Sequence, residues 1–271
     1  MLKSVLRVLA ISFTLYCLVY PFINQPVKEV TESVTEPETV TEVVIVEEKP
    51  RHNVILPDFA NIPDIKQKKM EFFSFIRPHV IAENKRISQQ RAQLEIAKMM
   101  LEFDDVLSEQ QLRNLRLIFK EYKVKQPIDK ASITAALKRV DIVPEELVLM
   151  QAANESAWGT SRFARIGLNF FGQWCYQEGC GMVPLNRNLD AAHEVAVYES
   201  VSHAVAAYFR NINTNRAYRE LRNIRSLQRE QQEEPSAVEL ANGLLAYSER
   251  GNHYVEEIRD MIYANQEFFS E

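Results

Sequence analysis

The sequence predicts a mainly α protein of the α+β class, in which a helical domain carries a small β-hairpin lobe and is preceded by further helices and a disordered tether. Apolar residues recur at helical spacing through most of the chain from Asp64 onward. The exception is 169–198, which is rich in glycine, aromatic residues and short alternations typical of strands. The chain has 271 residues, of which 46% are hydrophobic, enough for one main core.

The first residues predict export from the cytoplasm. Lys3 and Arg7 give the N-terminus a positive charge, and the apolar run Val8–Ile23 follows. A charged start followed by such a run is typical of a signal peptide, but no small-x-small cleavage motif follows it. We therefore expect 1–24 to be a signal peptide or an uncleaved inner-membrane anchor. The expected location is the periplasm, tethered to the inner membrane, or outside the cell after cleavage.

Residues 25–56 predict an acidic, disordered linker. Between Gln25 and Pro50 there are seven glutamates and two lysines, a net charge of −5 that equals the net charge of the whole chain. Such a segment lacks the apolar surface needed to build a core. The remaining charges balance, so no basic surface argues for nucleic-acid binding.

Residues 57–127 predict an N-terminal helical region that braces the rest of the chain. Three helices are expected, with Ser108 capping the third and Pro78 separating the first two. Their predicted ranges are Ile65–Ile76, Val80–Phe103 and Glu109–Tyr122.

Residues 128–271 predict the main domain. Its helices are expected at Lys130–Val140, Pro144–Ser156, Val201–Ile212, Ala217–Arg229, Ser236–Leu245 and Asn252–Phe268. A strand is expected at 193–198, in which Glu194, Ala196 and Tyr198 share one face and two valines the other. If the valines face the core, Glu194 faces a cleft.

Glu155 is the residue best placed for catalysis. The helix before it is well specified, because Pro144 suits a first turn and Glu145 and Glu146 complement the positive helix end. Glu155 lies near the opposite, negative end among apolar neighbours, and both features disfavour the charged carboxylate. A carboxyl group that stays protonated near neutral pH can donate a proton to a poor leaving group, as in glycoside cleavage. The alternative is an ordinary structural glutamate paired with Arg162 or Arg165.

Two motifs resemble one family of enzymes. The runs Glu155-Ser-Ala-Trp-Gly159 and Asn169-Phe-Phe-Gly172 together resemble the glucosaminidase domain of bacterial cell-wall hydrolases, glycoside hydrolase family 73. The longer run from Asn169 to Cys180 is similar to the Bax-protein branch of that family, and 243–254 resembles its tyrosine-containing segment. The resemblance covers about 128–269 and implies a lysozyme-like fold.

The resemblance also implies site residues. It places Tyr247 beside the acid, in contact with the sugar, although the family's Ala-Thr-Asp-Pro-like stretch is replaced here by Ser248-Glu-Arg-Gly-Asn252. It implies a second carboxylate in the β-lobe, for which Glu194 is the better candidate and Glu178 and Glu199 are weaker ones. Sugar-binding candidates are Trp158, Asn169, Phe170, Phe171, Gln173, Trp174 and Tyr198.

Cys175 and Cys180 predict a disulfide, because an exported domain meets an oxidising compartment. A zinc site with His193 is the rival interpretation, but it has an incomplete ligand set at unusual spacing. We therefore expect neither a metal nor an organic cofactor.

The resemblance implies a peptidoglycan hydrolase, an endo-β-N-acetylglucosaminidase that cleaves the β-1,4 bond after N-acetylglucosamine, and the residues supply Glu155 as its general acid. Its expected partners are peptidoglycan glycan strands and, through the N-terminal segment, the inner membrane. A lytic transglycosylase also needs one protonated glutamate and remains an alternative. A peptidoglycan-binding scaffold without catalysis is the alternative from another class.

Overall fold

The structure is a computed structural model that describes residues 48–184, 193–248 and 250–269. In these ranges the order along the chain is α1 (Ile65–Glu102), α2 (Glu109–Glu121), α3 (Lys130–Arg139), α4 (Glu145–Ser156), α5 (Arg162–Gly167), β1 (Trp174–Cys175), β2 (Gly181–Met182), β3 (Glu194–Ala196), α6 (Val201–Thr214), α7 (Arg219–Glu230), α8 (Ala237–Ala241) and α9 (Asn252–Ala264). The mainly α class with a small β element is confirmed. The predicted signal peptide or anchor and most of the predicted linker lie outside the described residues.

Helix α1 is one continuous helix of 38 residues, where two helices separated by Pro78 were predicted. A proline inside a helix removes a backbone hydrogen bond and costs about 3 kcal/mol. Buried side chains on both sides of it, Phe73, Ile76, Val80 and Ile87, are fully enclosed. Each contributes about 1.5–3 kcal/mol on burial, so their packing outweighs the lost bond.

The N-terminal helices share one core with the rest of the described chain. Helix α1 packs on α3, α4 and α6, and the described residues from Glu48 onward form one compact unit. Asp141, which is 2% exposed, lies 3.2 Å from Arg91 of α1 and 3.1 Å from Arg229 of α7. Arg225 lies beside the same carboxylate, and burial lowers the pKa of its guanidinium to about 10. The N-terminal helices therefore pack on the rest of the described chain, and their bracing role stays a prediction.

The last part of the predicted linker, residues 48–56, packs along α5 and β2. The Arg51 backbone N–H donates to Ile166 O at 2.8 Å, and its guanidinium donates to Gly181 O at 2.8 Å. Val54 and Leu56 pack against the core. The composition of the segment did not reveal these contacts, because their partners lie more than a hundred residues away.

Helix α4 is the central helix and delivers Glu155. Its side chains from Leu147 to Met150 are completely buried. The helix ends where Ala157 (φ 49°) and Trp158 (φ 57°) adopt left-handed backbone conformations. These are costly for residues other than glycine, and hydrogen bonds from Trp158 N to Ala153 O and from Ser161 N to Ser156 O maintain them. The sharp ending leaves Glu155 in the last turn, beside open space.

The predicted β-hairpin is instead a three-stranded antiparallel sheet in which β3 lies between β1 and β2. Trp174 pairs with Val195 and Cys175 with Glu194 on one side of β3. Gly181 pairs with Ala196 and Met182 with Val195 on the other. The sheet is short, and β3 is buried along its whole length.

Helices α6 to α9 follow the predicted order, with differences at their ends. Helix α8 stops at Ala241 and continues as a 3₁₀ turn from Asn242 to Leu244. Helix α9 stops at Ala264 and is followed by a 3₁₀ turn from Gln266 to Phe268. Among the described residues, no helix is both long enough and apolar enough to span a membrane.

Candidate active site

Glu155 lies on the wall of a cleft of about 650 Å³ between the end of α4, the β-lobe and α6. The opposite walls come from Phe171 to Trp174 and from Tyr247. Among the described residues that line this cleft, Glu155 is the sole carboxylate. The residue that the sequence singled out as an acid therefore faces a space of the size of a ligand site.

The surroundings of Glu155 raise its pKa above the ordinary value for glutamate. Burial is the main cause, and the Glu257 carboxylate adds to it. A hydrogen bond from the Tyr254 hydroxyl and the positive charge of Arg250 act in the opposite direction. A raised pKa keeps a larger share of the carboxyl protonated near neutral pH, which is the state that a general acid needs.

Gly172 lets the carboxyl group of Glu155 occupy its position. The backbone of Gly172 has φ 61°, in the left-handed region. A Cβ atom built on it would lie 3.1 Å from Glu155 Oε2. Glycine at this position provides both the backbone conformation and the space for the acid.

Tyr247 lies beside the acid, as the resemblance implied. Its ring stacks on Tyr254 with the centroids 5.0 Å apart, and its hydroxyl donates to Phe171 O at 2.7 Å. Burial raises the pKa of Tyr247 well above its usual value, so the phenol stays neutral. It therefore ties the cleft wall around Phe171 to α9 through the ring of Tyr254.

Three of the predicted sugar-binding residues, Phe171, Gln173 and Trp174, line the cleft. Phe171 is buried and stacks on Tyr208, so it forms the floor. Trp174 is 47% exposed and meets the ring of His193 edge to face at 4.4 Å. Of the three, Trp174 has the exposed aromatic face that stacking on a sugar requires.

The other four predicted sugar-binding residues, Trp158, Asn169, Phe170 and Tyr198, do not line it. Trp158 packs on Phe72 and Phe73 of α1, and Phe170 is fully buried. Asn169 is 1% exposed and its amide donates to Gln173 O and Ala196 O. Tyr198 is 8% exposed. Sequence cannot separate a cleft aromatic from a core aromatic when both lie in the same motif.

The prediction that Glu194 faces the cleft is wrong. Glu194 is 5% exposed, and its carboxylate accepts hydrogen bonds from Gly179 N at 3.0 Å and Gly181 N at 2.7 Å. All three residues of β3 are buried, so the strand has no solvent-facing side on which the alternation rule applies. Glu194 organises the loop before β2, and we do not retain it as a catalytic candidate.

Replacing Glu194 by glutamine is expected to lower the free energy of unfolding by about 1–3 kcal/mol, because an amide has one acceptor oxygen and leaves a buried N–H without its partner. The kcat of the folded fraction should stay within a few-fold of the wild type. Thermal unfolding and initial rates measured on the same preparation check both. A fall in kcat of a hundredfold with unchanged stability would restore Glu194 as a catalytic group.

The predicted disulfide between Cys175 and Cys180 is present, with the two Cα atoms 6.2 Å apart. The two sulfur atoms and the Glu194 carboxylate lie close together. Since both sulfurs are bonded to each other and the carboxylate accepts two backbone N–H groups, this cluster is a structural clamp on the loop that contains Tyr176.

Several cleft residues were not selected from the sequence. They are Lys123, Tyr176, Arg210, Tyr218, Arg250 and, in contact with Glu155, Tyr254. Tyr254 was within reach of sequence reasoning, because it ends the segment that resembles the family around Tyr247. The cationic residues come from three separate parts of the chain, and no local pattern connects them.

The charged residues of the cleft are mostly cationic. Lys123, Arg210 and Arg250 line it in addition to Glu155. This contrasts with the net charge of −5 of the whole chain. A local positive field attracts anionic ligands.

Comparisons with known proteins agree with the geometry. The profile of the glucosaminidase family, described as mannosyl-glycoprotein endo-beta-N-acetylglucosaminidase, matches residues 130–267. Among curated proteins, "Protein bax" of Escherichia coli (strain K12) is 32% identical over 213 residues, which are 78% of this chain and 74% of that protein. No solved structure matches.

Proposed function

Because the chain belongs to the glucosaminidase family, we propose that it is an endo-β-N-acetylglucosaminidase that cleaves the β-1,4 bond after N-acetylglucosamine in peptidoglycan. The observation that carries this is Glu155, whose pKa is raised by burial at the wall of a cleft. The family supports glycosidase chemistry and a peptidoglycan substrate, and the cleft contributes the acid.

In the proposed reaction the Glu155 carboxyl donates its proton to the glycosidic oxygen as the bond to the anomeric carbon breaks. The described cleft residues include no second carboxylate that would act as a nucleophile. In the reaction as we propose it, the electron pair that forms the new bond at the anomeric carbon comes from a water molecule or from the acetamido oxygen of the substrate. In the second case, water then opens the oxazoline ring that has formed. The leaving sugar departs as an alcohol, and the carboxylate of Glu155 recovers a proton from the water molecule whose oxygen ends on the anomeric carbon.

A single carboxylate is also what a lytic transglycosylase needs, and the products separate the two reactions. Purified peptidoglycan is digested with the protein, and the released ends are identified by mass spectrometry. Reducing N-acetylglucosamine ends support the proposed glucosaminidase. Anhydro-muramic ends identify a transglycosylase, and an intact sacculus that retains the bound protein identifies a scaffold.

The cationic cleft supports an anionic glycan, such as one that bears lactyl and peptide carboxylates. Replacing Arg210 by glutamine is expected to raise KM for soluble peptide-bearing glycan strands about two- to fivefold, because an exposed ion pair contributes about 0.2–1 kcal/mol. The effect should fade in high salt. Initial rates at two salt concentrations measure it.

Arg219 offers a matched control for this change, since it is exposed on the neighbouring helix and does not line the cleft. An Arg219→Gln variant should keep the KM of the wild type. If both variants behave alike, the cleft charge does not select the substrate.

We also propose that the protein works in the periplasm, tethered through its N-terminal segment. The charged and apolar start of the sequence supports export. The disulfide supports an oxidising compartment. Cell fractionation tests this, and recovery of the protein in the cytoplasmic fraction would contradict it.

A further inference from the structure

A chain of buried hydrogen bonds leads from the interior to Glu155. The Tyr208 hydroxyl of α6 donates to Gln151 Oε1 at 2.6 Å. Gln151 Nε2 donates to the Tyr254 hydroxyl oxygen at 3.0 Å. The Tyr254 hydroxyl lies beside the Glu155 carboxyl, and the two groups shift each other's pKa. Three elements, α4, α6 and α9, therefore contribute to one chain of bonds that ends beside the acid.

The order of donors in this chain determines where the Tyr254 proton points. A tyrosine hydroxyl has one proton to donate. Since the oxygen of Tyr254 accepts from the Gln151 amide, its proton is available to Glu155. The amide itself is oriented by Tyr208, whose hydroxyl donates to the carbonyl end of Gln151.

The members of the chain are enclosed. Gln151 and Tyr254 are 0% exposed and Tyr208 is 1% exposed. Tyr247 covers the ring of Tyr254 by stacking on it. In such surroundings each hydrogen bond is costly to break, because water is not at hand to replace the partner.

We propose that Gln151 is a positioning residue of the active site: it holds the Tyr254 hydroxyl as a hydrogen-bond donor to Glu155, and Tyr208 orients the amide that does so. This inference rests on the proposed function of Glu155 as a general acid. When Glu155 gives up its proton, the carboxylate that forms meets a donor already aimed at it. Stabilisation of developing charge by a donor that need not reorient is a large part of enzymatic rate enhancement.

The other titratable groups around Glu155 act on it through space. Arg250 lowers its pKa and Glu257 raises it, and the two are joined by an ion pair of 2.8 Å. Tyr208, Tyr218 and Tyr247 also face the acid, and burial raises the pKa of each phenol, so all three stay neutral. Tyr254 is held neutral in the same way.

The sign of the pH effect follows from the role of the acid. A general acid works while protonated, so the rate falls as pH rises through its pKa. A donor to the carboxylate lowers that pKa, so losing the donor moves the basic limb of the pH profile to higher pH. Replacing a residue that contributes only to stability would leave the basic limb of the pH profile in place.

The test compares kcat/KM against pH for Gln151→Met, Tyr254→Phe and the double variant on soluble glycan strands. Tyr254→Phe is expected to lower kcat about a hundredfold, by analogy with removing one donor to a developing negative charge. Gln151→Met should lower it less, and both should move the basic limb to higher pH. The double variant should match Tyr254→Phe alone, because Gln151 acts through Tyr254.

Gln228 provides the matched control. It is a buried glutamine of α7, 4% exposed, that donates to Glu239 of α8, and neither residue lines the cleft. Gln228→Met should lose about as much stability in thermal unfolding as Gln151→Met does. The basic limb of its pH profile of kcat/KM should stay where it is in the wild type.

The outcomes separate this inference from the proposed function. A wild-type protein that releases no glycan ends refutes the proposed function itself. A wild type that cleaves, with a Gln151→Met variant whose basic limb does not move, or with a double variant whose losses add, refutes the positioning role alone.

Discussion

Replacing Glu155 by glutamine is expected to lower kcat on peptidoglycan by about 10²–10⁴-fold, the usual contribution of general acid catalysis. The amide has the size of the carboxyl group but no acidic proton for the glycosidic oxygen. Because the ground-state contacts of the cleft remain, the variant should still bind sacculi. Release of reducing ends and co-sedimentation with sacculi measure the two properties separately.

Glu146 is the matched control for this change. It lies in the first turn of the same helix, α4, and does not line the cleft. Glu146→Gln should cleave at the wild-type rate. A Glu155→Gln variant that still turned over at more than a tenth of the wild-type rate would exclude Glu155 as the acid.

Replacing Gly172 by alanine is expected to reduce kcat/KM about a hundredfold. The left-handed backbone at Gly172 costs a non-glycine residue about 1–2 kcal/mol. The added methyl carbon would lie 3.1 Å from Glu155 Oε2 and displace the carboxyl group. A displacement of about 1 Å in a catalytic group can cost about 10²-fold in rate.

Gly179 separates these two effects. It has φ 78°, also in the left-handed region, but a Cβ atom on it would meet no atom within 4 Å. Gly179→Ala should therefore show a similar loss of stability in thermal unfolding and little loss of rate per folded molecule. Equal loss of rate in both variants would mean that backbone strain, and not displacement of Glu155, is the cause.

Most of the helices were predictable because their signals are local. Ser108 accepts from Gln111 N in a capping box at the start of α2, and the two residues lie three positions apart. The prediction that Pro78 separates two helices was wrong because it ignored contacts that are distant in the chain. The rule that proline interrupts a helix is local, whereas the apolar side chains that keep α1 continuous pack on α3, α4 and α6.

The β-lobe also contains one feature that the local sequence predicted and one that it did not. The two cysteines lie five positions apart, so their pairing was within reach of the sequence. The role of Glu194 was not, since the alternation rule assumes a strand with one solvent-facing side. Here β3 lies between two other strands and is buried throughout.

The sequence alone determined the mainly α class, the disulfide and the family resemblance, and it selected Glu155 as the candidate acid. Each depends on residues that are close together in the chain, where spacing reports geometry directly. The tertiary structure decided the surroundings of Glu155. Gly172 reaches it from the β-lobe, and Arg250 and Tyr254 reach it from the segment that begins α9. Burial, which raises the pKa of Glu155, is a property of the packed protein, because no single segment excludes water by itself.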